Sequence, residues 1–478
     1  MTAMELKEID VVTLAKANPF VQLVQKQKIV EVPELTLESG ITISKFPVAY
    51  KTWGKLNDAG DNVLVICHAL TGSADVADWW GPLLGRGLAF DTSRFLVVCL
   101  NALGSPYGSF SPLTVNSETG ARYGPEFPLC TVRDDVRAHK LVLESLGVRQ
   151  IACVVGGSMG GMVVLEWAAL FKDYVQNVVA LATSARNSAW CISWSEAQRQ
   201  SIYSDPKYLD GYYPLEDPPV VGLSAARMSA LLTYRSRDSF ETKFARKVPS
   251  TQQQRMSKRE PLKPSPIKEH NRAIHNDGLT SNSSTRHVGN CSISSSDSVE
   301  EIHSSSSATS LASVSSANGN QPLKPPQTYF SAQSYLRYQG NKFVKRFDAN
   351  CYISITRKLD THDLGRDRPE YSNNACNVLN DMSQPALVIG INSDGLFTYS
   401  EQEFLATHMP NARLERIDSP DGHDAFLLEF KLINDLIIGF FKENLREIMT
   451  GLSTGWEGHD EAPVKDSVFG EAEEITNW

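Results

Sequence analysis

The chain has 478 residues, of which 41% are hydrophobic and 21% charged, and its formal net charge is -9. This composition is typical of a globular protein and excludes collagen, coiled coils and a chain disordered throughout. The acidic balance gives no reason to expect nucleic acid or an anionic membrane as a partner. Neither a signal-like apolar leader nor a run of about 18 apolar residues is present. We therefore expect a cytoplasmic protein that binds neither nucleic acid nor membrane.

The length exceeds that of a typical single core, which predicts one large domain with insertions or two domains. Five short, continuously apolar runs predict strands buried on both faces. They are residues 63–67, 95–100, 151–155, 177–181 and 386–391. Residues 132–147 have an acidic start, apolar spacing and a closing glycine, which predict a helix. Alternating strands and helices predict an α/β fold with a mostly parallel sheet flanked by helices.

The order of these elements predicts a sheet core made of two separate parts, residues 1–185 and 361–450. Residues 186–360 lie between the two parts. Within them, the segments 222–244 and 328–360 have a helical pattern with one apolar face. We therefore expect residues 186–360 to form a helical cap over the sheet.

Two segments lack the pattern of a folded element. Residues 281–320 contain 16 serines in 40 positions, and such a composition buries too little apolar surface to offset chain entropy. We expect a disordered insert over about residues 247–327. The acidic residues 451–478 have no periodicity and predict a loosely held tail.

The eight cysteines are scattered, and none forms a CxxC pair. Cys67, Cys99 and Cys153 lie inside the apolar runs, so buried reduced thiols are expected. No metal site is predicted.

One turn carries the motif G-x-S-x-G, with Ser158 between the run 151–155 and the apolar helical pattern GMVVLEWAAL. This is the context of a nucleophile elbow, a strained turn that exposes the serine hydroxyl above the sheet. The helix that follows directs its first N–H groups and its positive dipole end toward the same point. By itself, the motif is equally compatible with a tightly packed turn or a phosphate-binding turn, although it lacks the P-loop lysine.

A serine needs a base, and in this kind of fold an acidic residue and then a histidine follow it in the chain. Excluding the histidines before Ser158, in the insert and in the tail leaves His362, His408 and His423. His423 lies in a turn before an apolar helix, whereas His408 lies within a helical pattern. Asp394 closely follows the last apolar run. Ser158, Asp394 and His423 are thus the predicted triad, with a plain turn at Asp394 and a helix cap at His423 as the alternatives.

The segment HALTGSADVADWW follows the first predicted strand, where a second oxyanion donor is expected. We predict that the backbone N–H groups of Leu70 and Met159 form the oxyanion hole. His68 is interpreted as structural, and Trp79 and Trp80 either pack in the core or line a pocket.

Eight ordered motifs carry a wider resemblance: LESG, HALTGSADVADWW, NALGSPYGSFSP, YGPEFP with TVRDDVRAH, GGSMGG, AARMSALLTYRS, SDGLFTYSEQ and GHDAFLLEF. Together they resemble the homoserine O-acetyltransferase family, in particular its fungal methionine-pathway form. The resemblance covers nearly the whole chain outside the serine-rich insert, which bacterial members lack. It implies an α/β-hydrolase fold, no tightly bound cofactor, a homodimer, and acetyl transfer from acetyl-CoA to L-homoserine through an acetyl-serine.

The resemblance also implies roles for three further residues. Arg227 matches the arginine that holds the substrate carboxylate, Tyr234 lines the same pocket, and Asp424 matches the acid that meets the substrate amino group. Their chemistry agrees, because a guanidinium binds a carboxylate through two hydrogen bonds and a carboxylate pairs with an ammonium group. From the residues alone, Arg227 could equally be a solvated helix arginine.

Several alternatives remain open on the sequence. The acceptor could be L-serine or the donor succinyl-CoA, since one methylene changes pocket energy by only about 1–3 kcal/mol. An esterase or thioesterase would use the same triad. A non-catalytic regulator would not need Ser158, Asp394 and His423 intact.

Overall fold

The computed structural model describes residues 5–248, 271–272, 274–279, 330–451 and 453–455. The strands of these residues form one sheet, in the order β1-β2-β3-β5-β4-β6-β7-β8-β9. Their bounds are β1 Lys7–Glu8, β2 Lys28–Thr36, β3 Thr42–Trp53, β4 Val63–Cys67, β5 Leu96–Leu100, β6 Ile151–Gly157, β7 Val178–Leu181, β8 Ala386–Ile391 and β9 Ala412–Ile417. Strands β4 to β9 are parallel, and β1 to β3 join antiparallel. The mostly parallel sheet predicted from the sequence is confirmed.

The helices connect the strands and cover the sheet. Their bounds are α1 Val11–Ala15, α2 Val76–Trp79, α3 Val132–Ser145, α4 Met159–Leu170, α5 Ala189–Tyr203, α6 Val220–Tyr234, α7 Arg237–Lys243, α8 Ser331–Phe343, α9 Ala349–Asp360, α10 Ala375–Asn380, α11 Tyr399–His408, α12 Ala425–Leu428, α13 Phe430–Asn444 and α14 Arg446–Thr450. Helix α3 begins with a Thr131 capping box, and Gly147 just beyond its end has a φ of 85°, as its sequence predicts. Within the described ranges, no helix is both long and apolar enough to cross a membrane.

The central strands are continuously apolar because both faces of the sheet are covered. Every residue of β4 is buried. Val65 faces one apolar cluster together with Val136 of α3 and Met162 of α4. Its neighbour Leu64 faces a second cluster, which includes Ile437 of α13. Alternate residues of one strand therefore enter two different layers of the core.

The thiols and tryptophans singled out in the sequence lie in this core. Cys67, Cys99 and Cys153 are buried and form no disulfide, as expected. Trp80 is fully buried, and its Nε1 donates a hydrogen bond to the Phe426 carbonyl at 3.1 Å. The core interpretation of Trp80 is therefore correct.

Helices α5, α6 and α9 lie in the chain between β7 and β8, where the cap is predicted. Tyr352 of α9 donates a hydrogen bond to Gln198 of α5 at 2.7 Å. Lys358 of α9 reaches the core, where it forms a fully buried ion pair with Asp135 of α3 and donates to the Leu103 carbonyl at 2.7 Å. The predicted helical segment 222–244 is in fact two helices, because the backbone of Arg235 is extended after α6.

The described residues divide into two compact units. Residues up to Phe240 and from Gly340 onward form the first, and residues 241–339 belong to the second. Within the second unit, the rings of Phe244 and Tyr335 lie 5.0 Å apart, and Arg337 pairs with Asp277 at 3.1 Å.

The two segments predicted to lack order are mostly outside the described residues. Of the insert expected at 247–327, only residues 247–248, 271–272 and 274–279 are described, and these include helical residues and Asp277 in its ion pair. Of the tail expected at 451–478, residues 451 and 453–455 are described. The remainder of both predictions lies outside the described part of the chain.

Candidate active site

The turn between β6 and α4 holds Ser158 in a strained conformation. Its φ is 58° and its ψ is -127°, and it is the residue directly before helix α4. A positive φ is uncommon for a residue other than glycine and costs about 1–3 kcal/mol. The neighbouring residues maintain it: Ser158 N–H donates to the Leu181 carbonyl at 3.0 Å, and Thr183 Oγ1 donates to the Ser158 carbonyl at 2.8 Å. The turn has the geometry of a nucleophile elbow.

The glycines around Ser158 allow three segments to meet at van der Waals distance. A Cβ on Gly160 would lie 2.1 Å from the Cys67 carbonyl oxygen at the end of β4. A Cβ on Gly157 would lie 2.5 Å from the ring of Phe426. Side chains at these positions would push the serine turn away from the strand and from α12.

Asp394 and His423 follow β8 and β9 and lie at the same edge of the sheet as Ser158. His423 Nδ1 lies 2.7 Å from Asp394 Oδ2. The other carboxylate oxygen, Oδ1, accepts hydrogen bonds from the backbone N–H groups of Leu396 and Phe397 at 2.8 and 2.9 Å. The carboxylate is thereby fixed, and it can hold the imidazole in one orientation and tautomer.

Aromatic rings surround the imidazole of His423. The ring centroids of Tyr234, Phe397 and Phe426 lie 6.0, 5.3 and 5.2 Å from that of the histidine. His423 is 3% exposed and Ser158 is 8% exposed. Both side chains therefore have little contact with bulk water.

The predicted oxyanion donors lie in two adjoining segments. Met159 is the first residue of α4, where N–H groups have no partner within the helix. Leu70 is half-buried in the turn that follows β4, and β4 pairs directly with β6. The close approach of Gly160 to Cys67 places the start of α4 beside the end of β4.

Other histidines in the core have different surroundings. Burial lowers the pKa of His68 to about 4, that of His139 to about 3 and that of His362 to about 4. His68 Nε2 accepts a hydrogen bond from the Ala102 N–H at 3.0 Å, which supports the structural interpretation made from the sequence. Within the described ranges, no group of three or more His, Cys, Asp or Glu is placed to hold a metal ion.

Comparison with known proteins identifies the family. The profile of the α/β-hydrolase fold matches residues 62–430. The chain is 66% identical to the homoserine O-acetyltransferase of Saccharomyces cerevisiae, over 99% of this chain and 98% of the relative. It is 58% identical to that of Emericella nidulans, over 96% of each. The chain belongs to the homoserine O-acetyltransferase family.

Solved structures confirm the fold of this homoserine O-acetyltransferase family member. A homoserine O-acetyltransferase from Bacillus anthracis aligns with a TM-score of 0.64 at 19% identity, over 90% of this chain and 99% of its own. Esterase E22 aligns with a TM-score of 0.66 at 22% identity, over 87% of this chain and 99% of its own. Transferases and esterases thus share this α/β-hydrolase fold.

The three residues that the family resemblance assigned to the substrate lie on α6 and on the His423 loop. Arg227 is 2% exposed, so it is not a solvated helix arginine. Its guanidinium packs over the rings of Tyr234 and Phe343, at 5.5 and 5.0 Å from their centroids. Asp424 is buried beside His423, with its Oδ2 2.8 Å from Nε of Arg235.

Arg235 is the residue of this region that the sequence analysis missed. It lies within the motif AARMSALLTYRS, so its place in the chain gave a signal. Its partners Asp421 and Asp424 are far away in the sequence, however, and nothing in the pattern connects them to it. The fold alone brings Arg235 together with these two carboxylates.

Proposed function

We propose that this chain transfers an acetyl group from acetyl-CoA to the hydroxyl of L-homoserine, through an acetyl group carried on Ser158. The observation that carries the proposal is the buried Asp394–His423 pair at 2.7 Å, at the sheet edge that also presents the strained Ser158. Family membership supports the acceptor and the donor. Acetyl-CoA acts as a co-substrate, and no tightly bound cofactor takes part.

The first half-reaction acetylates the enzyme. His423 removes the hydroxyl proton of Ser158 as the oxygen attacks the thioester carbonyl, and Asp394 stabilises the resulting imidazolium. The N–H groups of Leu70 and Met159 hold the negative oxygen of the tetrahedral intermediate. The intermediate collapses with release of the CoA thiol, which takes its proton from His423.

In the second half-reaction, the same groups transfer the acetyl group from Ser158 to the acceptor. The carboxylate of L-homoserine binds Arg227, its ammonium group binds Asp424, and Tyr234 lines the pocket between them. His423 then deprotonates the homoserine hydroxyl, which attacks the acetyl-serine. The tetrahedral intermediate collapses to O-acetyl-L-homoserine, and the Ser158 oxygen takes the proton back from His423. The aromatic rings around His423 disfavour hydrolysis by limiting the access of water to the acetyl-serine.

The deciding experiment measures CoA-thiol release from acetyl-CoA across a panel of amino acids. We expect multiple-turnover release with L-homoserine and no more than one equivalent without an acceptor. CoA release with L-serine in preference to homoserine would identify L-serine as the acceptor. Faster release from succinyl-CoA would identify succinyl-CoA as the donor. Sustained release in water alone would instead establish a thioesterase.

The proposal includes a cytoplasmic homodimer. Trp190 and Ile192 on α5 and Leu232 on α6 are exposed apolar side chains, of the kind that subunit interfaces cover. Sedimentation equilibrium should give twice the mass of the chain, and a monomer over the whole micromolar range would contradict this part of the proposal.

A further inference from the structure

Arg235 is a buried arginine directly after the end of α6, the helix that carries Arg227 and Tyr234. Its backbone is extended, with a φ of -104° and a ψ of 148°. Its side chain is 3% exposed. Helix α6 thus ends where the chain turns toward the loop that carries His423.

Two carboxylates of that loop meet the Arg235 guanidinium. Nη1 donates a hydrogen bond to Asp421 Oδ1 at 2.9 Å, and Nε lies 2.8 Å from Asp424 Oδ2. One carboxylate lies two residues before His423 and the other directly after it. A single guanidinium therefore spans the loop across the position of the catalytic base.

Uncharged contacts hold the backbone of the same loop. Gly422 has a φ of 69°, and a Cβ there would lie 2.5 Å from the Ser236 N–H nitrogen. The Gly422 N–H donates to Ser393 Oγ at 3.0 Å, and Ser236 Oγ donates to the Pro420 carbonyl. These contacts fix the position of the loop, whereas Arg235 supplies the positive charge that balances its carboxylates.

The charges around His423 make this balance important. Asp394 faces the imidazole from the β8 loop, and Asp421 and Asp424 belong to its own loop. Tyr234 faces it from α6, and the Arg227 guanidinium lies 5.5 Å from the centroid of the tyrosine ring. Without Arg235, one buried and one partly exposed carboxylate of this loop would favour the imidazolium and weaken His423 as a base at neutral pH.

We propose that Arg235 is a positioning residue that keeps His423 in its basic form by pairing with Asp421 and Asp424. The proposal rests on the proposed function insofar as His423 is the catalytic base. Because Arg227 lies on α6 and Arg235 directly follows its end, one segment of the chain both contacts the acceptor and sets the electrostatics of the base.

The test compares Arg235→Gln with Arg235→Lys. The first readout is the pH dependence of the initial CoA release from acetyl-CoA alone. The second is the NMR titration of the His423 imidazole without substrate, with the resonance assigned by its loss in His423→Gln. In Arg235→Gln, both the acidic limb of the rate and the imidazole titration should move to higher pH by about one unit. Arg235→Lys should leave both near their wild-type positions while lowering the rate several-fold, because it retains the charge but not the planar fork.

Asp421→Asn provides the matched control, because it removes one carboxylate and leaves the groups assigned to substrate in place. Alone, it should move the imidazole titration to lower pH, and in the Arg235→Gln background it should restore part of the shift. If Arg235→Gln is too unstable to measure, a shift of the imidazole titration to lower pH in Asp421→Asn still supports the proposal.

Specific outcomes would overturn the proposal. A slower Arg235→Gln enzyme with an unchanged acidic limb and imidazole titration would show that Arg235 is only structural, and an unchanged titration in Asp421→Asn would show the same. A wild-type enzyme that acetyl-CoA does not acetylate would refute the proposed function alone, because the imidazole titration needs no substrate.

Discussion

Ser158 combines a strained backbone with a side chain that can react. The strain is held by hydrogen bonds to Leu181 and Thr183, residues at and beyond the end of β7. The cost of about 1–3 kcal/mol is therefore offset by hydrogen bonds to the end of β7 and the residues just beyond it, outside the turn itself. A residue fixed in this way does not need to reorganise when a substrate binds.

The acetyl-serine gives a prediction at this scale. Incubation with acetyl-CoA alone should add one acetyl group to the wild-type chain, because attack by Ser158 does not require the acceptor. Intact mass spectrometry measures the adduct, and Ser158→Ala should show none. Acetylation of the alanine variant at the wild-type level would assign the nucleophile to another residue.

Arg227 should separate the two half-reactions. Arg227→Lys keeps the charge but loses the fork that binds a carboxylate through two hydrogen bonds. Acetylation of Ser158 should stay near normal, while transfer to homoserine falls on the order of ten- to a hundredfold, the size of a lost charged hydrogen bond. Rapid-quench measurement of each step provides the check. Slowed acetylation with normal transfer would place Arg227 at the CoA site instead.

The predictability of the site differs from residue to residue. Ser158 and Asp394 could be chosen because each follows a continuously apolar strand, and His423 because it lies in a turn before an apolar helix. The fold also restricts the order of the three residues in the chain. Arg235 could not be assigned, because an ion pair between residues so distant in the sequence leaves no local pattern. The burial of Arg227 between two rings was equally invisible, since its helix carries apolar residues around most of its surface.

At the scale of elements, the junction of β4, β6 and α4 depends on Gly160. Gly160→Ala should abolish activity and lower the free energy of unfolding by about 1–3 kcal/mol or more, because the new methyl would overlap the Cys67 carbonyl. Chemical denaturation and the CoA-release assay measure the two effects.

Gly439 of α13 is the matched control, since a Cβ there meets no atom within 4 Å. Gly439→Ala should raise the free energy of unfolding by about 0.5–1 kcal/mol through helix propensity. Equal behaviour of the two variants would mean that close packing is not the reason for a glycine at position 160.

The sheet was predicted where the strands are continuously apolar and missed where polar residues or prolines interrupt the apolar residues. The central runs are continuously apolar and were found nearly to their ends. Strands β1 to β3 lie at the antiparallel edge, where β2 contains both buried and exposed residues without strict alternation. Pro33 in β2 and Pro47 in β3 also argue locally against strands, and only pairing across the sheet overrides that preference.

The stability of the whole molecule should depend on its buried histidines. A histidine whose pKa falls from 6.5 to about 3 on folding, as for His139, stays neutral in the folded state while the unfolded chain binds a proton. Its contribution to stability is complete above about pH 6.5 and is lost progressively as the pH falls toward the folded pKa. The free energy of unfolding should therefore decrease between pH 6.5 and 4.

His139→Gln isolates this effect from the carboxylates that titrate in the same range. Denaturant unfolding at several pH values should show a smaller decrease for this variant than for the wild type. Parallel curves would show that His139 does not contribute to the acid sensitivity.

The pairing of β7 with β8, in which Val178 lies opposite Ala386, joins two parts of the chain that are distant in the sequence. Together with the buried Lys358–Asp135 pair, this strand pairing holds the two parts together. Their association should therefore not depend on the peptide that links them. Residues 1–248 and 330–478, co-expressed as separate polypeptides, should therefore reassemble as a split enzyme. Co-purification and acetyl-CoA turnover should appear together, since the first fragment carries the proposed nucleophile Ser158 and the second carries the proposed base His423.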